Sequence, residues 1–596
     1  MERVADYIIR KVNEAGAGYV FLITGRGILY LTDAVAKNKN IIPVSTFHEQ
    51  GASYAAMAYA SVHDGVSACL VSTGCAATNA VTAALCAYQD NLPVVFISGN
   101  NQLKENTRHT GIPIRTYGSQ EADIISIVES VTKYSVMLED IKDVVFEVEK
   151  ALYIALNGRK GPVWIDVPLD VQNMRIEESE MIHFIPESDI HDSRSIDIKQ
   201  ITDDLVEAKR PLLLVGGGTK SAGAEVQRVV EELHIPVVSS PTASDIYGSA
   251  NTYSIGVVGS LGGSRAGNFA VQNCDYLLIV GTKLCSQLTG TKDMFAREAI
   301  VTVVDIDPVE HTKDGVHIDN LVISEAKTFF NVLLDARPKL NCEDWLRTCV
   351  HWKEKFSISN EAFVNELKCN NQIDLYSLMD ELNKILPDDA TVITDAGLEE
   401  LIVPSTLRFK KGQRCLFPAA QGAMGYAIPA ILGAHTAGRK SIICIVGDGS
   451  VMMNIQELQI VSTMNIPVKI IVINNGMYAV IRKRQIDLFR KRTIGNDPTD
   501  GVPQPDFGAI ATCFGLEYVR IETRTNLLEE LPKLITEENR QPELIEIICT
   551  HDQKYFHESY TLNDNRKLVH RPIEDMSPFL PRELIKREMI INMMEE

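Results

Sequence analysis

Short runs of consecutive apolar residues, each closed by glycine or a small polar residue, recur along the chain and alternate with stretches of helical periodicity. The first group lies at 19–24, 41–47, 67–72 and 93–98, and its first three runs close on Gly25-Arg26-Gly27, His48-Glu49-Gln50-Gly51 and Gly74-Cys75-Ala76-Ala77-Thr78-Asn79. It ends on Gly161-Pro162-Val163-Trp164-Ile165-Asp166-Val167-Pro168. A second group lies at 211–215, closed by Gly216-Gly217-Gly218, and at 235–239, 276–280 and 301–306; a third has runs at 441–446 and 468–473. Continuous rather than alternating apolar runs, separated by helices, predict parallel strands covered on both faces. The fold class expected is therefore α/β, with three doubly wound parallel-sheet domains at about 1–180, 190–340 and 373–550 and a C-terminal tail at 551–596. Polar residues at 177–199 predict a first linker, and 343–372 a second connector. The tail shows no clear sheet and ends in a candidate amphipathic helix at 581–594.

Composition narrows what these domains can bind. A length of 596 residues suits three or four domains of ordinary size. A net charge of −20 argues against a nucleic-acid or anionic-membrane surface. The 12 cysteines include no CxxC pair and fall mostly in apolar runs, as expected of reduced core thiols in the cytosol. The start of the chain is charged and amphipathic, unlike a signal peptide, and no apolar run is long enough to span a bilayer.

Candidate chemistry concentrates in the third group. The run at 441–446 delivers Gly447-Asp448-Gly449-Ser450, and the run at 468–473 delivers Asn474-Asn475-Gly476. Ligands of open α/β sheets bind at the carboxyl ends of strands. A carboxylate and an amide oxygen meeting there suit Mg²⁺, which takes its other ligands from water and phosphate. Glycines beside Asp448 admit phosphate to backbone N–H groups. An ordinary pair of strand-to-helix turns would use the same residue types. The strands before both motifs, and the 24 residues between Gly449 and Asn474, favour the ligand site.

Six dispersed motifs agree on a family. They are His48-Glu49-Gln50-Gly51-Ala52, Gly74 with Ala77-Thr78-Asn79, Gly161-Pro162-Val163, Asp305-Ile306-Asp307-Pro308, Gly422-Ala423-Met424-Gly425-Tyr426, and Gly447-Asp448-Gly449-Ser450 with Met453-Asn454-Ile455-Gln456-Glu457-Leu458. Over residues 1 to 550 the chain resembles the thiamine-diphosphate enzymes, and within them the acetohydroxyacid (acetolactate) synthase large catalytic subunits. The resemblance implies a pyrimidine-binding domain at 1–180, a middle Rossmann-like domain at 190–340 and a diphosphate-binding domain at 373–550. It makes Glu49 the carboxylate that bonds the aminopyrimidine and so assists loss of the thiazolium proton. Met424 would support the bent cofactor, and the Gly422 carbonyl would accept from its amino group. Gly447, Gly449, Ser450 and Asn79 would line the cofactor, and Asp448, Asn475 and the Met477 carbonyl would hold Mg²⁺. Gln120 matches a glutamine near the substrate. Active sites would form between subunits of a homodimer or homotetramer, with Glu49 and Asp448 of one site on different chains.

Departures from the family shape the substrate. Arg484 stands where the synthases place a tryptophan, and Arg26 where they have glycine; with Val480 these are the residues expected to meet substrate. A fixed cation in place of an apolar wall predicts an anionic acceptor, phosphorylated or nucleotide-linked, and the resemblance to synthase-like relatives that extend keto sugars adds a keto sugar as a further expectation. A solvated basic helix face is the plainer account of Arg482-Lys483-Arg484. In the middle domain Gly216, Gly217, Gly218, Gly281, Asp305 and Asp307 suit FAD, although Leu284-Cys285-Ser286-Gln287 lacks the family's arginine there. The function expected is a carboligase that decarboxylates a 2-keto acid, pyruvate foremost, and passes the acyl unit to a carbonyl acceptor. The alternatives are a non-ligating 2-keto-acid decarboxylase and a non-catalytic nucleotide-binding regulatory subunit.

Overall fold

The computed structural model describes residues 1–186, 196–537, 541–551, 553, 557–562 and 567–594. Three six-stranded parallel sheets are flanked by helices, the architecture expected from the uninterrupted apolar runs. The N-terminal sheet contains β1 (Tyr19–Leu22), β2 (Ile42–Ser45), β3 (Ser67–Val71), β4 (Val94–Asn100), β5 (Tyr134–Met137) and β6 (Val163–Pro168). Its order is β2-β1-β3-β4-β6-β5. The middle sheet, β7 (Pro211–Val215), β8 (Val237–Ser239), β9 (Ser254–Val257), β10 (Tyr276–Val280), β11 (Ile300–Asp305) and β12 (Asn320–Ile323), has the order β9-β8-β7-β10-β11-β12. In the C-terminal sheet β13 (Thr391–Thr394), β14 (Arg414–Leu416), β15 (Ile442–Gly447), β16 (Val468–Asn474), β17 (Glu517–Ile521) and β18 (Glu543–Ile548) run β14-β13-β15-β16-β18-β17. The first and third sheets thus share one strand order, while the middle sheet has that of dinucleotide-binding folds.

Each sheet has a switch point in its strand order, between β1 and β3, between β7 and β10, and between β13 and β15. Connections leave such a point in opposite directions and open a crevice at the strand ends. The loops there are Gly25-Arg26-Gly27 with Gly74, Gly216-Gly217-Gly218 with Gly281, and Asp395 with Gly447-Asp448. Topology alone therefore brings Arg26, the middle-domain glycines, Gly447 and Asp448 to crevices.

The helices that matter here are α1 (Glu49–Val62), α2 (Cys75–Asn79), α3 (Val81–Gln89), α4 (Arg265–Asn273), α5 (Glu343–Lys355), α6 (Leu398–Thr406), α7 (Ala427–Thr436), α8 (Asp448–Val451), α9 (Ala479–Leu488) and α10 (Arg582–Glu588). Helix α1 is rich in alanine and packs against α7, which carries Gly433 where the two backbones approach. One core, including Ala55, Tyr59, Ile428, Ile431 and Val446, joins the first and third units.

Two sequence expectations change. The connector at 343–372 is mostly helical: α5 places Trp345, Cys349 and Trp352 in the middle core, because the spacing i, i+4, i+7 forms one apolar stripe. The tail is not a separate appendage. It carries an antiparallel pair, Tyr560–Leu562 with Leu568–His570, and its Ile573, Met576 and Ile585 sink into the middle core. Helix α10 stops at Glu588, short of 594, as the following backbone turns to bond Asn273 Oδ1 through Ile590 and Ile591. The centre of the 177–199 linker lies outside the described residues.

Candidate active site

Parallel pairing aligns β13, β15 and β16, with Thr394 beside Ile445 and Gly447 beside Ile473. The three strand ends consequently deliver Asp395, Asp448 and Asn475 to one edge. Asp448 is nearly buried; its Oδ1 accepts from Gly449 N at 2.6 Å and its Oδ2 from Gly476 N at 2.8 Å. Burial raises its carboxyl above the usual range. Asn475 Oδ1 accepts from Met477 N at 3.2 Å, while Asn474 turns away and donates to Glu546 Oε1 at 2.6 Å. Tyr478 packs so tightly against Gly449 that no Cβ could stand there.

Ser450 links this loop to the segment carrying Gly422 and Met424. Its hydroxyl donates to Asp395 Oδ2 at 2.6 Å and accepts from Gly425 N at 2.8 Å. Asp395 Oδ2 also accepts from Ala427 N at 3.2 Å, so one buried carboxyl fixes the start of α7 beside the strand ends. Burial pushes Asp395 up to about 7. The start of α6 adds Glu399 and Glu400, each pushed up to about 8 by burial, with neighbouring carboxylates acting in the same direction. Glu399 faces Gly447 and Glu400 faces Gly422. Asp395, Glu399 and Glu400 were not singled out in the sequence. The signal that could have found them is Asp395-Ala396-Gly397, which closes an apolar strand much as Gly447-Asp448-Gly449 does.

The N-terminal crevice gathers a second group. Glu49 opens α1 and accepts from Asn79 Nδ2, at the end of α2, at 2.9 Å. Gly27 N donates to Ser72 Oγ at 3.2 Å, holding the turn that displays exposed Arg26. Gly74, at φ 64°, lies against the backbone carbonyl of Gln120, itself exposed at φ 62°. The Arg26 turn and Gln120 thus flank Ser72 to Gly74, and Asn79 ends the short helix that follows. Glu457, fully buried in the C-terminal unit, supports this group from behind: its Oε1 accepts from Phe47 N at 3.2 Å and His48 N at 3.1 Å. Burial pushes Glu457 up to about 7. Among the described residues no hydrogen bond joins Glu49 or Asn79 to Asp448, Asn475 or Met424 of the same chain.

The three cations on α9 are not equivalent. Arg482 pairs with Asp497 at 2.8 Å and Lys483 with Glu558 at 2.9 Å, whereas Arg484 is exposed and has no ionic partner among the described residues. Val480 lies one helical turn before Arg484 on the same face and leans on the C-terminal core.

In the middle unit, Gly216 N bonds Val280 O and Gly218 N bonds Gly281 O, both at 2.9 Å, so these glycines first serve to pack two loops together. Asp307 pairs with Arg159 at 2.8 Å, and Asp305 lies 3.3 Å from His311. Both carboxylates nominated for FAD are engaged within the protein.

Three family models agree with this layout. The thiamine pyrophosphate enzyme N-terminal TPP binding domain matches residues 2–127, the central domain 198–333 and the C-terminal TPP binding domain 395–547. Fold and site thus define a thiamine pyrophosphate enzyme. Among relatives, the acetolactate synthase of Arthrospira platensis is 30% identical over 573 residues, covering 92% of this chain and 94% of its own. The acetolactate synthase large subunit of Lactococcus lactis subsp. lactis (strain IL1403) is 28% identical, with 92% of each chain covered. Acetolactate synthase 1, chloroplastic, of Oryza sativa subsp. japonica is 29% identical over 92% of this chain and 85% of its own. The chain belongs to the acetolactate synthase-like family of thiamine-pyrophosphate-dependent enzymes, and the alternative of a non-catalytic subunit gives way.

Proposed function

We propose that the chain decarboxylates a 2-keto acid, pyruvate foremost, and transfers the acyl unit to an anionic carbonyl acceptor. The observation that carries the acceptor class is Arg484, an exposed guanidinium without an ionic partner among the described residues, on the face of α9 that also carries Val480; α9 follows the Asn475 to Met477 loop. A planar fork of donors suits phosphate or carboxylate. Arg26 supplies a second exposed cation in the N-terminal crevice beside Gln120.

The donor set fits thiamine diphosphate. Buried Asp448 and Asn475, with the Met477 carbonyl, form an oxygen set suited to Mg²⁺, and the backbone around Gly447, Gly449 and Ser450 lies beside it. When bound, the cofactor supplies the electron sink that decarboxylation of a 2-keto acid requires. The protein's part is positional. Ser450 and Asp395 fix the segment bearing Gly422 and Met424, which would support the cofactor's amino group and bend. Glu49, oriented by Asn79, would hold the aminopyrimidine and exchange a proton there. Glu49 shares no hydrogen bond with its own chain's Asp448 group, which supports a site shared between two subunits of a homodimer or homotetramer. The carboxylates nominated for FAD are already paired, so no step runs through a flavin. Absorbance near about 450 nm in the purified protein would restore it. Among the described residues no helix is long and apolar enough to cross a membrane. The cysteines are free, which supports a reducing compartment such as the cytosol.

The test is incubation of the holoenzyme with labelled pyruvate and paired acceptors that differ only in charge, such as glyceraldehyde and glyceraldehyde 3-phosphate. Ligation favouring the charged partner, reduced in Arg484→Trp, supports the reading. An unchanged preference in that variant refutes the role of Arg484, and free aldehyde as sole product favours the non-ligating decarboxylase.

A further inference from the structure

Helix α9 carries Arg484 yet contains no buried residue. Apolar burial does little to fix its roll, since Ala479 and Val480 only lean on the neighbouring core. Its outward polar ties run to two places: Gln485 and Arg482 bond the 494–497 segment, with Gln485 Nε2 donating to Ile494 O at 3.3 Å and Gln485 Oε1 accepting from Ile494 N at 2.8 Å and Asn496 Nδ2 at 2.9 Å, while Lys483 reaches the tail. Arg482 Nε donates to Asp497 Oδ2, and Lys483 Nζ donates to Glu558 Oε1 at 2.9 Å. Lys483 also reaches Asp487 at 3.1 Å, but that residue is on the same helix and anchors it to nothing.

Glu558 belongs to the tail, and the tail is fixed to the middle unit. Glu558 exchanges backbone hydrogen bonds with Ser577 at 3.2 and 3.0 Å. On either side of it, Gly262 N bonds His557 O and Ser559 N bonds Ser260 O, both at 2.9 Å. Farther on, Asn268 Nδ2 donates to Ile573 O at 3.0 Å and Gln272 Nε2 to Glu574 Oε2 at 2.6 Å, both from α4. The Glu558 carboxylate is therefore presented from an anchored segment. Successive residues of a helix point about 100° apart, so holding Arg482 and Lys483 in two directions leaves a single direction for Arg484.

We propose that Glu558 is a positioning residue for the acceptor: by holding Lys483 it sets the roll of α9 that turns Arg484 toward the acceptor's anionic group. This rests on the reading of Arg484 given above. It makes the tail, which the sequence left without a role, part of acceptor selection.

Truncating the tail would strip Ile573, Met576 and Ile585 from the middle core, so the test uses Glu558→Gln and the charge swap Glu558→Lys with Lys483→Glu. Two readouts apply to the holoenzyme: hydrogen exchange of 479–488, and KM and kcat with glyceraldehyde 3-phosphate against glyceraldehyde. Glu558→Gln is expected to raise exchange in that helix. It should raise KM for the phosphorylated probe about twofold to fivefold, the effect of losing a partly exposed ion pair. The neutral probe, acceptor-independent pyruvate consumption and thermal midpoint should stay unchanged, and the swap should restore the charged probe. Unchanged exchange overturns the proposal. So does raised exchange with unaltered KM when Arg484→Met does lose the charged probe, because Arg484 would then act without Glu558. If Arg484→Met changes nothing, the reading of Arg484 itself falls, and uptake of neither probe removes both.

Discussion

Glu457 should control the placement of Glu49 from a different domain, in a way that depends on pH. Its Oε1 accepts from both Phe47 N and His48 N, immediately before the first residue of α1. Glu457→Ala removes both acceptors and leaves a void under the helix start. A hydrogen bond to a charged group contributes about 1.5–3 kcal/mol. One oxygen serves two part-buried donors here, so the expected loss is about 2–3 kcal/mol for the pair. Glu457→Gln can keep an oxygen in the same place, and its cost near neutral pH should stay below about 1 kcal/mol. The pH dependence has a definite sign. Burial holds the Glu457 carboxyl at about 7 in the folded protein, above the ordinary glutamate range. A raised folded value means that its contribution is complete below the unfolded value and is lost as pH rises through about 7. At most about 3 kcal/mol is involved. Urea midpoints at pH 5, 7 and 9 would show the wild type ahead of Glu457→Gln at the low end and losing that lead at the high end. Pyruvate turnover should fall in Glu457→Ala, which displaces Glu49, and be largely kept in Glu457→Gln. Equal stabilities of the two variants, or a difference between wild type and Glu457→Gln that is flat across pH, would refute the reasoning.

Thiamine diphosphate with Mg²⁺ should raise the melting temperature of the wild type and not that of Asp448→Asn; ligand at a hundredfold excess over Kd stabilises by about 2.7 kcal/mol, so calorimetry resolves the difference. Trp345→Ala should destabilise the middle unit by about 3–5 kcal/mol in urea unfolding, since Trp345 is buried and its indole N–H donates to Pro211 O at 3.0 Å.

Central strands were the most legible part of the chain. Pro211–Val215 and Tyr276–Val280 are buried throughout and read as unbroken apolar runs. Edge strands were harder: Tyr134–Met137, Asn320–Ile323 and Glu517–Ile521 are short, partly exposed and each opened or interrupted by a polar residue, so nothing marks them until a neighbour pairs with them. The strand Thr391–Thr394 is central and buried, yet its terminal threonines hid it and with it Asp395. At the site, Asp448 and Asn475 stood out because each motif closes an apolar strand and 24 residues separate Gly449 from Asn474. Glu457 did not, because its partners are 410 and 409 residues away and only the packing of two domains brings them together. The run Arg482-Lys483-Arg484 looked like one basic face, whereas helical geometry sends Arg482 to Asp497 and Lys483 to Glu558 and leaves Arg484 without an ionic partner among the described residues.

That division of the cations fits a wider contrast between the two kinds of residue. The groups assigned to the metal and the diphosphate follow strand ends, and Asp448, Ser450 and Asn475 are each more than nine-tenths buried. Rigid elements with locked neighbours suit chemistry that tolerates little misplacement. The groups assigned to the acceptor, Arg26, Gln120 and Arg484, are all exposed, on a turn, a loop and a helix without buried residues. Substitution at such positions typically changes stability by less than about 0.5 kcal/mol. A scaffold built this way can change its acceptor without endangering either the fold or the cofactor site. It follows that acceptor preference in this family should be decoded from exposed side chains and their tethers, such as Glu558, before the buried motifs that reveal the family.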